Sequence, residues 1–243
     1  MDALTEPRSG TTTAALPAPV VLAWDLPTRL AKWALAVLVG LAFASKYYGD
    51  VGLVWHMWNG LAILTLVVFR LLWGLVGGST ARFAGFLASP GGTLFYAVSV
   101  LRGRSPRYLG HNPLGGWMVL ALLGIVVAQG VTGLFTTDDI IVDGPLVRVA
   151  GEGWIERASA LHQDIYWWLL ALIALHVLAN LAYSLFGKDN LVLAMLTGRK
   201  PRAHYVDQAA ATPGSIVLAL ACLAVAAVGV FGGIALAGGD PFP

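Results

Sequence analysis

The chain has 243 residues, 58% hydrophobic and only 12% charged, with a mean hydropathy of +0.75; soluble domains carry roughly 25% charged residues, so this balance excludes a water-soluble globule and places the chain in a bilayer. Fifteen Lys and Arg against thirteen Asp and Glu leave a net charge of +2, which excludes both a nucleic-acid-binding footprint and an acidic disordered tail. The single cysteine, Cys222, excludes a disulfide framework, a CxxC zinc site and a CxxCH attachment motif, so any cofactor must be held by other residues.

Residues 1–22 are polar, small and proline-bearing. They lack the basic segment and apolar stretch of a cleaved signal and read as a flexible cytoplasmic tail. Five apolar spans follow, near 24–44, 53–76, 114–135, 160–186 and 215–237. Each has about the 20 residues needed to cross about 30 Å of hydrocarbon at about 1.5 Å per residue. The implied division is a tail over 1–22, a four-span unit over 23–200, and a linker with a fifth span over 201–243.

The loop over 79–110 carries Arg82, Arg102, Arg104 and Arg107 with no acid, and the loop over 187–213 carries Lys188, Arg199, Lys200 and Arg202. Positive loops stay in the cytoplasm, so the N-terminus is expected inside and the C-terminus outside. The opposite loops hold Asp50, Asp138, Asp139, Asp143, Glu152 and Glu156 beside Lys46, Arg148 and Arg157. Tryptophans agree, with Trp24, Trp33, Trp73 and Trp117 near the inner boundary and Trp55, Trp58, Trp154, Trp167 and Trp168 near the outer one. Between the second and third spans, Leu94, Phe95, Val98 and Leu101 recur at helical spacing after Pro90, which predicts a short helix lying on the inner interface. In the fifth span Gly229 and Gly233 are spaced as in GxxxG, which predicts close packing on another helix and lateral association in a homo- or hetero-oligomer. Cys222 reads there as a small buried hydrophobe.

The five histidines are His56, His111, His162, His176 and His204. His162 and His176 share one span, and fourteen residues at about 100° each return to within about 40° of the same azimuth, about 21 Å further along the axis. One face therefore presents an imidazole in each half of the membrane, an expensive placement unless each finds a partner inside the bundle. His56 lies at the depth of His162, so the two can close on opposite faces of one iron. A single such histidine would read equally well as a helix-to-helix hydrogen bond. Three at matched depths favour haem, because neutral imidazole is a good haem ligand and helix bundles hold cofactors between facing helices. Zinc would require a compact cluster of Cys, His or carboxylate that the spans do not offer.

An ordered set of motifs then resembles the bacterial cytochrome b561 family, four-helix membrane cytochromes b related to the membrane subunits of nickel-iron hydrogenases and formate dehydrogenases. The set runs through Trp24-Asp25-Leu26-Pro27-Thr28-Arg29, His56 with Asn59-Gly60, and Phe69-Arg70-Leu71-Leu72-Trp73-Gly74. It continues with Ala81-Arg82-Phe83, Leu109-Gly110-His111-Asn112-Pro113-Leu114-Gly115, Thr132-Gly133-Leu134-Phe135 and Gly144-Pro145. Leu161-His162, Leu175-His176, Asp189-Asn190-Leu191, Met195, Thr197-Gly198 and Lys200 complete it. The resemblance covers residues 24–200 and implies an all-α integral membrane protein, a four-helix transmembrane cytochrome b bundle to which this chain adds a C-terminal transmembrane helix.

The resemblance implies two stacked b haems, with His56 and His162 the axial pair of the outer one. The inner haem is expected to use His176 and a histidine in the first span, just before a tryptophan. Here Arg29-Leu30-Ala31-Lys32-Trp33 aligns and places Lys32 at that position, leaving the first span without histidine. Four arrangements are open: Lys32 as an amine ligand, a five-coordinate haem on His176 with Lys32 near a propionate or in solvent, loss of the inner haem with Lys32 snorkelling, or another ligand such as His111. His111 reads as either a hydrogen-bonded helix-start residue or a proton-handling or propionate-binding group beside the inner haem or a quinone pocket. Arg70 reads as a propionate partner or a snorkelling cation.

The function implied is electron transfer between the membrane quinone pool and an outer-face redox partner, such as a periplasmic c-type cytochrome or dehydrogenase, in a bacterial inner membrane. The acidic loop over 136–159 would dock a positively charged partner. Two further readings are a partner-independent superoxide:quinone oxidoreductase and a non-catalytic assembly or anchor subunit attached through its fifth span.

Overall fold

Asp25 starts the first membrane helix by accepting the Thr28 N–H at 3.0 Å, satisfying one of the backbone donors that a helix N-terminus leaves unpaired. In the computed structural model, which describes residues 19–45, 47–137, 142–186 and 190–242, helix α1 spans Leu26–Ser45 and α2 spans Gly49–Val76. The tail up to residue 18, Lys46, Asp138, Asp139, Lys188 and Asp189 lie outside the described residues. Two short inner helices follow, α3 over Phe83–Phe86 and α4 over Pro90–Leu101. Helix α5 spans Pro113–Gly133, with Pro113 in the first turn and Asn112 accepting from Gly115 N–H; proline fits there because its missing N–H is one the helix would not use. Then come α6 over Glu152–Phe186, α7 over Leu191–Thr197 and α8 over Ile216–Leu236, capped by Ser215. Five of these helices, α1, α2, α5, α6 and α8, are long and apolar enough to cross a membrane, so the protein is an all-α, multi-pass integral membrane bundle.

Helix α6 begins eight residues before the predicted span. Hydropathy marks only the length inside hydrocarbon, whereas the backbone hydrogen-bond ladder continues through the polar turn holding Glu156 and Arg157. Helix α4 is the short helix expected after Pro90: its cap Ser89 accepts from Gly92 N–H at 3.2 Å, and Leu94, Phe95 and Leu101 are exposed. Its inward face is held by Tyr96, whose hydroxyl is 2.9 Å from that of Tyr183 on α6.

Helix α2 is the central element, packed on α1, α5 and α8, while α6 packs on α5 and α7 rather than closely on α1 or α2. Trp73 on α2 is fully buried and donates its indole N–H to Thr28 on α1 at 3.0 Å. The fifth helix joins this core through Ala219, Cys222 and Ala226, which cluster with Phe69 and Trp73. Cys222 is thus the small buried hydrophobe expected. The Gly229 and Gly233 face is different: a Cβ on either meets nothing within 4 Å, and both line an apolar cleft of about 300 Å³ with Leu64, Val131 and Leu134. Within this chain the close approach of α8 to α2 therefore uses the alanine and cysteine stripe, not the GxxxG pair.

The ends of the bundle expected to face inward are tied into one cap. Strand β1, Val20–Leu22, placed at the end of the tail in the sequence reading, pairs antiparallel with β2, Arg199–Pro201, with Val21 opposite Lys200. Gly198, at φ +77°, closes α7 in the left-handed conformation that favours glycine, and its carbonyl accepts from Ala23 and Trp24 N–H. Arg29 reaches from α1 to donate to the Met195 and Leu196 carbonyls. Asp207 accepts from Leu109 and Gly110 N–H at 2.7 and 2.9 Å.

Candidate functional site

In the half of the bundle expected to face outward, His56 on α2 and His162 on α6 face one another with ring centroids 6.1 Å apart and planes at 85°. Two imidazole nitrogens each about 2 Å from one first-row metal ion would bring their ring centroids to about 6 Å. The hydrogen bonds set the tautomers. His56 Nδ1–H donates to the Ala42 carbonyl and His162 Nδ1–H to the Gln129 carbonyl, both at 2.9 Å. Since a carbonyl can only accept, each Nδ1 carries the proton and each Nε2 keeps its lone pair, the usual arrangement for a metal-ligating histidine. The Gln129 side-chain amide holds His162 Nε2 at 3.2 Å and would have to release it to a metal.

Gly133 on α5 makes room for this ring: a Cβ there would lie 3.0 Å from His162 Cε1. Neutral imidazoles converging from two helices, with α6 set off from α2, are a donor set that fits the axial ligands of a haem iron. Gln129 was not singled out by the sequence reading, although an amide in the middle of an apolar span was a usable signal.

In the inner half, His176 lies on α6 and its Nε2 accepts from Asn180 at 3.1 Å, one helical turn on. His111 and Lys32 both lie within electrostatic reach of it, and α1 contributes no histidine. Lys32 on α1 has its ammonium 3.3 Å from His111 Nε2, 3.7 Å from Met195 Sδ and 4.0 Å above the Trp24 ring. His111 sits between Trp24 and Phe86, with ring centroids at 4.8 and 4.4 Å. Burial, followed by the positive charges of Lys32, Arg70 and Lys200, holds its pKa well below the ordinary histidine value, so it is neutral and can accept from Lys32. Its Nδ1 is buried and has no partner.

Arg70 on α2 is 2% exposed. Its Nη2 donates to the Ala81 carbonyl at 3.1 Å and its guanidinium lies 4.9 Å from the Phe83 ring centroid, but Nη1 is buried without a partner. Lys200 is equally buried and donates to the Tyr108 carbonyl at 2.9 Å. Asp25 is a nearby acid, and its second oxygen accepts from Gly214 N–H at 3.1 Å.

The structure thus brings Lys32, His111 and Arg70 into one inner cluster and His56 and His162 into one outer pair. It adds Met195, Lys200 and Asp25, which the sequence reading quoted without a role. The outer pair fits a bis-histidine haem; Lys32 and His176 do not reproduce that arrangement in the inner half. A family model described as prokaryotic cytochrome b561 matches residues 23–198, and the fifth helix lies beyond the match. No curated protein matches the chain.

Proposed function

The chain belongs to the prokaryotic cytochrome b561 family, which makes it a membrane haem b electron-transfer protein, and on that premise we propose that it moves electrons between the membrane quinone pool and a redox partner at the outer face. The observation that carries this reading is the His56 and His162 pair: a 6.1 Å centroid separation with both Nδ1 protons given to backbone carbonyls. A haem held there supplies one-electron chemistry, and the protein's part is to orient the ligands and exclude water.

Both Nδ1 bonds would raise ligand basicity and lock the ring planes, so these are the residues that would hold the outer haem iron. The expected topology, N-terminus inside, rests on the arginine-rich inner loops and on Trp154, Trp167 and Trp168, which are exposed on the outer half of α6. The outer partner is a positively charged c-type cytochrome or a periplasmic dehydrogenase, met by the acidic residues over 136–159. Asp143 in that segment receives the Thr137 hydroxyl at 2.7 Å; Asp138 and Asp139 lie outside the described residues.

The test is reconstitution of the full chain in vesicles. Added quinol should reduce a low-spin haem and pass electrons to an external cationic acceptor such as cytochrome c, at a rate that falls with salt and with charge reversal at Asp138, Asp139 and Asp143. Haem that quinol cannot reduce would overturn the quinone assignment. An unchanged rate in the charge-reversed chain would overturn the docking surface.

A further inference from the structure

We propose that Gln129 tunes the outer haem: its side-chain amide, held against His162, keeps the positive end of an N–H dipole beside the nitrogen that would face the iron and so favours the reduced haem. This rests on the haem b reading above, in which His56 and His162 hold one iron, and it adds a positioning residue that acts through His162.

Residue 129 grips His162 at three points. Its backbone carbonyl accepts the Nδ1–H at 2.9 Å, while its side-chain nitrogen lies 3.0 Å from the His162 carbonyl oxygen and 3.2 Å from Nε2. Both side-chain partners are acceptors: a carbonyl oxygen has no proton to give, and Nε2 carries none because the ring proton is on Nδ1. That network fixes the amide with its NH2 group toward His162. One N–H serves the carbonyl and the other faces Nε2. A metal taking the Nε2 lone pair would displace only the second, and the carbonyl tether would keep the amide beside the site.

The local face of α5 is built for this contact. Gln129, Thr132 and Gly133 are three and four residues apart and so share one side of the helix. Gly133 leaves room for the ring, and the Thr132 hydroxyl lies 3.0 Å from the Gln129 carbonyl that holds Nδ1.

Stability alone gives no reason for an amide here. Gln129 Oε1 is buried without a partner, and an unpaired acceptor is unfavourable in an apolar interior. An apolar side chain of similar length would fill the same space without that penalty. The N–H groups supply the reason: a positive partial charge beside a haem ligand stabilises the electron the haem gains, and a low-dielectric surrounding screens it little.

The experiment uses the full chain in nanodiscs as wild type, Gln129→Met and Gln129→Leu, with His162→Ala identifying the outer haem's signal. Haem per polypeptide, the EPR g-values of the oxidised low-spin haem and its redox titration are measured. Both Gln129 variants should keep wild-type haem content and show shifted g-values. At a fixed solution potential the ratio of reduced to oxidised outer haem should fall roughly 2- to 10-fold, the equilibrium weight of one hydrogen bond. Met and Leu differ in shape and share the loss of the amide, so a fall in both ties the effect to the N–H groups.

Unchanged g-values and titration in both variants, with or without a loss of thermal stability, would overturn the proposal and leave the haem reading intact. A shift in one variant only, or shifts of opposite sign, would overturn it in favour of altered packing around the ring. Loss of haem from both variants would overturn it as well, because the amide would then be needed for occupancy. A wild-type chain without a low-spin haem would overturn this proposal and the haem b reading together.

Discussion

Gly133 lies against the His162 ring so closely that a Cβ added there would sit 3.0 Å from His162 Cε1. The absence of a side chain at this point of α5 is what permits the imidazole to pack against α5 with its centroid 6.1 Å from that of His56.

Gly133→Ala is expected to displace the His162 ring by a few tenths of an ångström while the helix itself gains up to about 1 kcal/mol in propensity. Overpacking of about 1–3 kcal/mol opposes that gain. The low-spin haem should be retained with altered EPR g-values, and Gly133→Leu should lose it. Identical g-values in the alanine variant would show that the ring is not positioned by this contact.

His56→Ala, His162→Ala and the double variant should each lose the same single haem and the same low-spin signal. Ligands of one iron act as a unit, so the second substitution has nothing further to remove. Haem per polypeptide and EPR on the three proteins check this; a larger loss in the double variant would place the two histidines on different irons.

Tyr96 provides a pH test away from the His56 and His162 pair. Burial, followed by its hydrogen bond with Tyr183, raises its pKa above the ordinary value. In the unfolded chain a tyrosine loses its proton near pH 10, while the folded protein keeps it. Above that pH the unfolded state binds fewer protons, so stability is full below about pH 10 and declines as pH rises beyond it. Tyr96→Phe should flatten the alkaline fall in thermal unfolding midpoint between pH 9 and 11, while losing about 1 kcal/mol at pH 7 for the hydrogen bond.

Asp25→Asn should destabilise the protein by about 2 kcal/mol, because an amide can accept only one of the two N–H groups that the carboxylate accepts and turns a donor toward the other. The bonds at stake are those from Thr28 and Gly214, the second of which anchors the approach to α8. Thermal unfolding followed by tryptophan fluorescence measures the effect, and a midpoint equal to wild type would show that water replaces the lost acceptor.

The five spans were legible because a bilayer imposes a length and a composition that a linear scan reads directly. The facing of His56 and His162 was legible for a related reason: imidazoles are costly in hydrocarbon, and those at matched depth on different helices have few other uses. The β1 and β2 pairing, the two extra short helices and the path of Arg29 to the α7 carbonyls were not legible. They join segments far apart in the chain, and their residues carry no periodic signal. The GxxxG spacing in α8 is not the stripe that meets α2 within the chain, since spacing cannot say which azimuth of a helix meets a given neighbour.

The sequence by itself determined that this is a multi-pass membrane protein of the cytochrome b561 family and that Lys32 stands where a histidine was expected, because both follow from which residue types occur at which depth. Only the tertiary structure decided what Lys32 does in its place. Its ammonium is directed to His111, Met195 and Trp24 by three elements that converge at the inner face, and that convergence depends on packing between segments more than 70 residues apart in the chain.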